Sequence, residues 1–311
     1  MLGGKFDMTR KVEDYEVSGK VNLKELVEQM EESGGFQAKN VGVAAEILKE
    51  MKEDKRSTNF LSFPACIVST GTRGLLRDLI KEDIFDAVVT TCGTLDHDLA
   101  RYWEDYYHGS FEADDVELHG EDTHRLGNVF VPESSYGKVV EDNMQELLEE
   151  IYEEGKNKLA PYELVWEIGK RMDEDSLCYW AWRNEIPVFV PGITDGAVGT
   201  QVWMFRQDHD FTVDVWKDED KISEMVYDSE RTSGLVVGGG ISKHHLIWWN
   251  QFIGGLHRLV YVTTAPEWDG SLSGARPEEA ISWGKLKEEG ESVEVKGDAT
   301  VLLPLIVGSI L

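Results

Sequence analysis

Short apolar runs, each closed by glycine or small polar residues and followed by a helical pattern, recur along this chain. Residues 60–68 lead into Ser69-Thr70-Gly71, 86–91 into Cys92-Gly93-Thr94, and 187–190 toward Thr194-Asp195-Gly196. Residues 235–237 lead into Gly238-Gly239-Gly240 and 259–263 into Thr264-Ala265, while 301–307 read as a last strand. Strands that alternate with helices predict an α/β fold with a largely parallel sheet flanked by helices. No Pro/Ser-rich linker, internal repeat or composition break divides the chain. Residues 1–311 are therefore expected to form a single large domain, with 1–35 as a helical N-terminal extension.

Periodicity places helices between these runs. Asn22 is a cap with Glu25 in the capping-box position, and Leu23, Leu26, Val27 and Met30 share one face before Gly34-Gly35. Further helices are expected over 41–51, up to Ile80, from near Asp96, over 138–154 and 162–172, and from Lys243. Pro277 suits a first helical turn, so a helix there would carry Glu279 and Trp283 on one face. Residues 103–131 are polar and aperiodic and read as an excursion holding a hairpin. Its histidines, His108, His119 and His124, lack metal-ligand spacing and belong on the surface.

Charge narrows the function. The chain has 59 acids against 31 bases, a net charge of -28, which excludes the basic footprint of a nucleic-acid binder. Such an excess suits a polycationic substrate or a basic partner. It suits equally a protein dissolved in a salt-rich cytoplasm, where self-repulsion is screened, and this halophilic reading is the preferred one. Cys66, Cys92 and Cys178 form no paired motif, so neither zinc nor a disulfide framework is expected, which favours a reducing compartment. Residues 1–10 lack a signal-peptide core and no apolar run reaches spanning length. The expectation is a soluble, cytoplasmic protein that binds no membrane, nucleic acid or metal.

In an open parallel sheet, ligands bind beyond the carboxyl ends of the strands. The turns there are small, helix N-termini behind several of them favour phosphate, and Asp195 or Asp298 could bind ribose hydroxyls. This set reads as a dinucleotide site without a GxGxxG run, although each glycine turn alone is ordinary. Lys285 follows Trp283 and Gly284. A lysine beside tryptophan and carboxylate is a candidate for imine chemistry, since desolvation frees a neutral, nucleophilic amine; a solvated surface lysine is the competing reading. Of Lys243-His244-His245, the adjacent histidines point to different helix faces, which argues against a two-ligand metal site. One could orient an amine or move a proton, or simply sit at a helix start. Trp268 and Trp283 could hold an alkylammonium ion by cation–π attraction.

These residues also form longer runs: 186–191 (IPVFVP), 238–245 (GGGISKHH), 267–271 (EWDGS) and 273–285 (SGARPEEAISWGK). They resemble deoxyhypusine synthase, with support from Phe36-Gln37, Thr90-Thr91-Cys92-Gly93 and Asp298-Ala299, and the likeness runs from about Ser33 to the C-terminus. The resemblance implies a Rossmann-like fold, NAD as cofactor, and homotetramers with active sites at dimer interfaces. It implies that an aminobutyl group passes from spermidine, through an imine on Lys285, to one lysine of the translation factor that carries hypusine. His244 and Glu279 would serve catalysis, and Trp283, Gly270, Ser271, Leu272 and Ser273 would hold the donor. Ser69, Thr91, Gly93, Asp195, Gly239, Thr264, Ala265, Asp298 and Ala299 would hold NAD.

Three departures stand out in the donor site. Thr200 and Leu272 replace aspartates with which the family grips the polyamine, and Asp96-His97 replaces a pair of glutamates. Charge-assisted hydrogen bonds are worth about 1.5–3 kcal/mol each, so spermidine should be held differently or give way to another amine such as agmatine. Two further readings are transfer to a small amine, as in homospermidine synthases, and a non-catalytic NAD-binding scaffold. Joint retention of Lys285, Glu279, Trp283 and His244 speaks against the scaffold.

Overall fold

The computed structural model describes residues 10–311. Six strands form its central sheet: β1 (Ser57–Ser62), β2 (Ala87–Val89), β3 (Val188–Phe189), β4 (Arg231–Val237), β5 (Leu256–Thr263) and β6 (Leu286–Lys296). Their order is β6-β5-β4-β1-β2-β3, and every pairing is parallel. The chain thus starts mid-sheet, winds outward to β3, returns to lay β4 beside β1, and winds the other way. This is the doubly wound order, with its switch point between β1 and β4.

Both faces are covered, which is why the central strands read as continuous apolar runs. Leu61, Val88, Leu235, Val237 and Val260 pack into one core cluster with the helices Phe36–Glu53, Thr72–Lys81 and Ala299–Gly308. Phe60, Val89, Val236, Leu259 and Tyr261 face the other way, against Ile222 and Val226 of Trp216–Asp228 and Leu246 and Ile247 of Gly240–Asn250. Truncating a buried leucine such as Leu246 should cost about 2–5 kcal/mol.

The excursion is a three-stranded antiparallel sheet, Tyr107–His108, Val129–Pro132 and Thr123–Leu126, in which the last two form the expected hairpin. His108, His119 and His124 are exposed. The first helix, Leu23–Glu32, has both capping-box bonds between Asn22 and Glu25. Residues 10–22 fold back along it, with Arg10 paired to Glu31 at 2.8 Å. The rest of the expected N-terminal extension, 1–9, lies outside the described residues.

Several expectations need correction. Residues 301–307 are not a strand: they lie in the helix Ala299–Gly308, capped by Asp298, with Leu303, Ile306 and Val307 buried on one side. The last strand is β6, a polar run that escaped notice because it edges the sheet with a single partner. The first run stops at Ser62, because Pro64 ends pairing and a 3-10 turn, Ala65–Ser69, follows. The helix expected from Pro277 is a single turn, Glu279–Ser282, with Trp283 just outside it. Three helices also begin earlier than expected, at Phe36, Cys92 and Gly240.

Candidate active site

Parallel strands send all their carboxyl-end turns to one edge of the sheet. The nine residues expected to hold a dinucleotide all follow strand ends there: Ser69 after β1, Thr91 and Gly93 after β2, and Asp195 after β3. Gly239 follows β4, Thr264 and Ala265 follow β5, and Asp298 and Ala299 follow β6. Ser69 and Asp298 line a common cleft of about 570 Å³, one wall of which comes from Tyr107 and Phe111 of the excursion. The helices Cys92–Trp103 and Gly240–Asn250 start on this edge without a side-chain cap. Their free N–H groups suit a pyrophosphate. Asp298 spends one oxygen, Oδ1, on the amide of Thr300 at 2.9 Å. These residues fit a dinucleotide.

A second cavity, about 330 Å³, lies on the sheet face that carries Val236, Leu259 and Tyr261. The helix Gly240–Asn250 and the segment 272–285 close it, and it brings together Lys285, His244, Glu279, Trp283 and Leu272. Lys285 is fixed by its main chain. Gly284 turns in the left-handed region (φ 66°), the Lys285 amide donates to Ala280 O at 2.8 Å, and its carbonyl accepts from the Leu256 amide at 3.1 Å. The side chain is buried, only 8% exposed. Its Nζ lies 5.6 Å from the ring centroid of Trp248 and 5.4 Å from that of Trp283, within cation–π range. No hydrogen bond to this Nζ occurs among the described residues, so the amine is free to react.

His244 stacks on Trp248 with centroids 5.6 Å apart. Burial, then the charge of Lys285, pushes its pKa below the usual histidine range. At neutral pH the imidazole is therefore uncharged and able to accept a proton. His245 points elsewhere, toward Glu219 at 3.6 Å, and burial holds it down to about 4.

Sequence reasoning missed a second buried lysine in this cavity. Lys243 is 4% exposed. Its Nζ donates to Leu272 O and Ala275 O, each at 2.8 Å, and lies 3.7 Å from the Tyr261 centroid. Burial pushes its pKa down to about 8, partly offset by Glu279 and Glu294. Helical phase held the signal: Lys243, Leu246, Ile247 and Asn250 recur at helical spacing and are all buried.

The donor-site residues scatter more than expected. Asp269 ties Ser271 through its amide and hydroxyl, both at 2.7 Å, with Gly270 at φ 75°. Ser273 packs against Gly239. Asp96, His97 and Thr200 do not line the lysine cavity of this chain. Asp96 is buried and accepts from the amides of Ala197 and Val198 and from Tyr136 Oη, which anchors the helix Ala197–Phe205. Burial raises its pKa. His97 bonds Tyr106 Oη at 2.9 Å, and burial pushes it to about 4. The Thr200 hydroxyl donates to Gly196 O at 2.9 Å on an exposed surface. Trp268 is exposed and also outside the cavity. Among the described residues no helix is long and apolar enough to cross a membrane, and no group of three His, Cys, Asp or Glu side chains could hold a metal.

Comparison with known proteins bears on the family and the fold. The family model described as Deoxyhypusine synthase matches residues 25–310. The chain is 50% identical over 302 residues to the "Probable deoxyhypusine synthase" of Picrophilus torridus, covering 96% of each. It is 53% identical over 307 residues to that of Ignicoccus hospitalis, covering 96% of this chain and 95% of the relative. A crystal structure from Entamoeba histolytica, of a protein assigned as a deoxyhypusine synthase, shares the fold with a TM-score of 0.65. It is 23% identical and covers 96% of both chains.

Proposed function

This chain belongs to the deoxyhypusine synthase family, and from that premise we propose that Lys285 is the lysine through which it transfers its aminoalkyl group. The family's enzymes are transferases that move an aminobutyl group from spermidine to one lysine of the hypusine-carrying translation factor, with NAD. Bound at the carboxyl edge, NAD would supply the hydride acceptor and donor of that reaction. The nine strand-end residues would hold it, with the pyrophosphate on the two uncapped helix N-termini and a ribose on Asp298.

The observation that carries the reading is a buried, unbonded Lys285 amine in a cavity shared with His244, Glu279 and Trp283. The amine of Lys285 attacks the activated donor carbon, and the leaving amine departs, so the carbon becomes an imine of Lys285. His244, uncharged at neutral pH, carries the proton from the attacking nitrogen to the leaving one. Glu279 and the faces of Trp248 and Trp283 hold the cationic part of the donor. The acceptor lysine then displaces Lys285 by the reverse exchange.

Donor choice follows from Leu272, which faces the same cavity where the family has an aspartate. Apolar walls of Val236, Ile247 and Leu259 surround it, so the remote end of the donor meets no carboxylate there. A planar guanidinium that stacks on tryptophan suits this lining, which makes agmatine the favoured alternative to spermidine. Asp96, His97 and Thr200 lie outside the cavity, while Trp248 and Trp283, which line it, are exposed. Both facts support a homotetramer in which a second copy completes the site, in the cytoplasm, where the acceptor factor is made.

The test is to incubate purified protein at high salt with NAD, the precursor factor and each amine in turn, and weigh the factor. A mass gain with agmatine or another amine supports the reading. A gain with spermidine alone removes the altered donor, and no gain with any amine removes the transferase.

A further inference from the structure

Resting on the transferase reading of the cavity, we infer that Lys243 is a positioning residue for the donor amine: its Nζ latches the main chain of loop 271–276 over Lys285.

Two lysines line one cavity, yet their amines are occupied in opposite ways. Lys285 Nζ bonds nothing among the described residues, whereas Lys243 Nζ is committed to the carbonyls of Leu272 and Ala275 at 2.8 Å each. Its remaining face is turned to the Tyr261 ring, 3.7 Å away. An ammonium so saturated offers no lone pair to a donor carbon, which separates its role from that of Lys285. It also has no ion-pair partner among the described residues, and a buried charge without one is expensive. Two main-chain acceptors are what it gains in return.

The same loop is held by two neighbours of Lys243, again through its backbone. Tyr261 Oη and Thr263 Oγ1 both donate to Ser273 O, the second at 3.0 Å. Gly274 passes so close to Pro266 that a Cβ there would overlap the Pro266 carbonyl. Three inward carbonyls, those of Leu272, Ser273 and Ala275, thus hold the loop without using the side chain of residue 272. The main chain carries these bonds, and the Leu272 side chain is left to line the cavity. Residue 272 can therefore change identity without moving the wall it stands on.

The test compares wild type, Lys243→Met and Lys243→Arg for NAD affinity, donor KM and kcat, and amide hydrogen exchange of the peptide covering 268–278. Lys243→Met should exchange the 271–276 amides at least ~10-fold faster, because a latched segment opens more readily once its bonds go. It should raise donor KM about 10-fold while kcat falls less than about threefold, the pattern of lost ground-state binding. Lys243→Arg, which still donates to two carbonyls, should recover most of both. Unchanged exchange, or a fall in kcat with KM intact, would overturn the latch. Should Lys243→Met not fold, Lys243→Gln shortens the side chain and removes the charge while staying polar, and an unchanged exchange rate in it overturns the latch equally. Wild type without turnover on any amine would remove the transferase reading, while the exchange measurement would still decide the latch.

Discussion

A Cβ placed on Gly239 would overlap Ser273 Oγ and lie 2.6 Å from Ser273 Cα. The turn after β4, on the carboxyl edge of the sheet, therefore touches the loop that covers the lysine cavity, main chain to main chain. Gly239 itself is extended (φ -159°), so space and not backbone strain demands glycine here. The two halves of the site are mechanically joined at this point.

Gly239→Ala should therefore damage both halves together. The added methyl must push the loop or the turn, and overpacking of this kind costs about 1–3 kcal/mol. Calorimetry should show weaker NAD binding, and the same variant should show a raised donor KM. Loss of one without the other would mean that the halves move independently.

Leu272→Asp restores a carboxylate to a wall whose backbone is fixed by Lys243, Tyr261 and Thr263. One charge-assisted bond is worth about 1.5–3 kcal/mol, or roughly 10- to 150-fold. The ratio of kcat/KM for spermidine to that for agmatine should rise by a factor in that range. A ratio that does not move would mean that residue 272 does not read the donor.

Stability rests on a buried ion pair far from the cavity. Asp98 pairs with Arg73 at 2.8 Å and accepts from Ser176 Oγ and the amides of Leu177 and Cys178, so it caps the helix Leu177–Arg183 from a neighbouring helix. Asp98→Ala strands the Arg73 guanidinium and three other donors, and breaking such a pair costs about 3–5 kcal/mol. Urea unfolding should show the loss, with NAD binding of the folded fraction unchanged.

Lys243 also sets a pH dependence. Its folded pKa, near 8, is below the ordinary lysine value of 10.5. Between these pH values the folded chain binds fewer protons than the unfolded one, so this group adds stability as pH rises through the window. Below about pH 8 both states are charged and the burial penalty is fully felt. The stability of wild type relative to Lys243→Met should increase from pH 7.5 to pH 10, by about 1–3 kcal/mol. A difference that stays constant would place the ammonium in water.

Much of this was legible in the sequence where local chemistry decides structure. Asn22 and Glu25 announced their helix, and both reciprocal bonds are present. The strand-end turns were readable because a parallel sheet sends them all to one edge. Long-range packing was not readable. The run 301–307 is short and apolar, and periodicity cannot tell a buried strand from a buried helix at that length. Conversely β6 is an edge strand, with only Leu286, Val293 and Val295 buried, and its lysines and glutamates disguised it. Lys243 stood only as the first member of a polar cluster with His244 and His245, because the sheet face that buries it comes from Tyr261, 18 positions along the chain.

Two lysines in one cavity make the central claim decidable by a single peptide map. The protein would be incubated with NAD and the donor amine, reduced with borohydride, digested and sequenced by mass spectrometry. The account predicts one adduct, on Lys285, absent without NAD or amine and absent in Lys285→Ala, which should still bind NAD. An adduct on Lys243, or none on either lysine while the factor still gains mass, would contradict it.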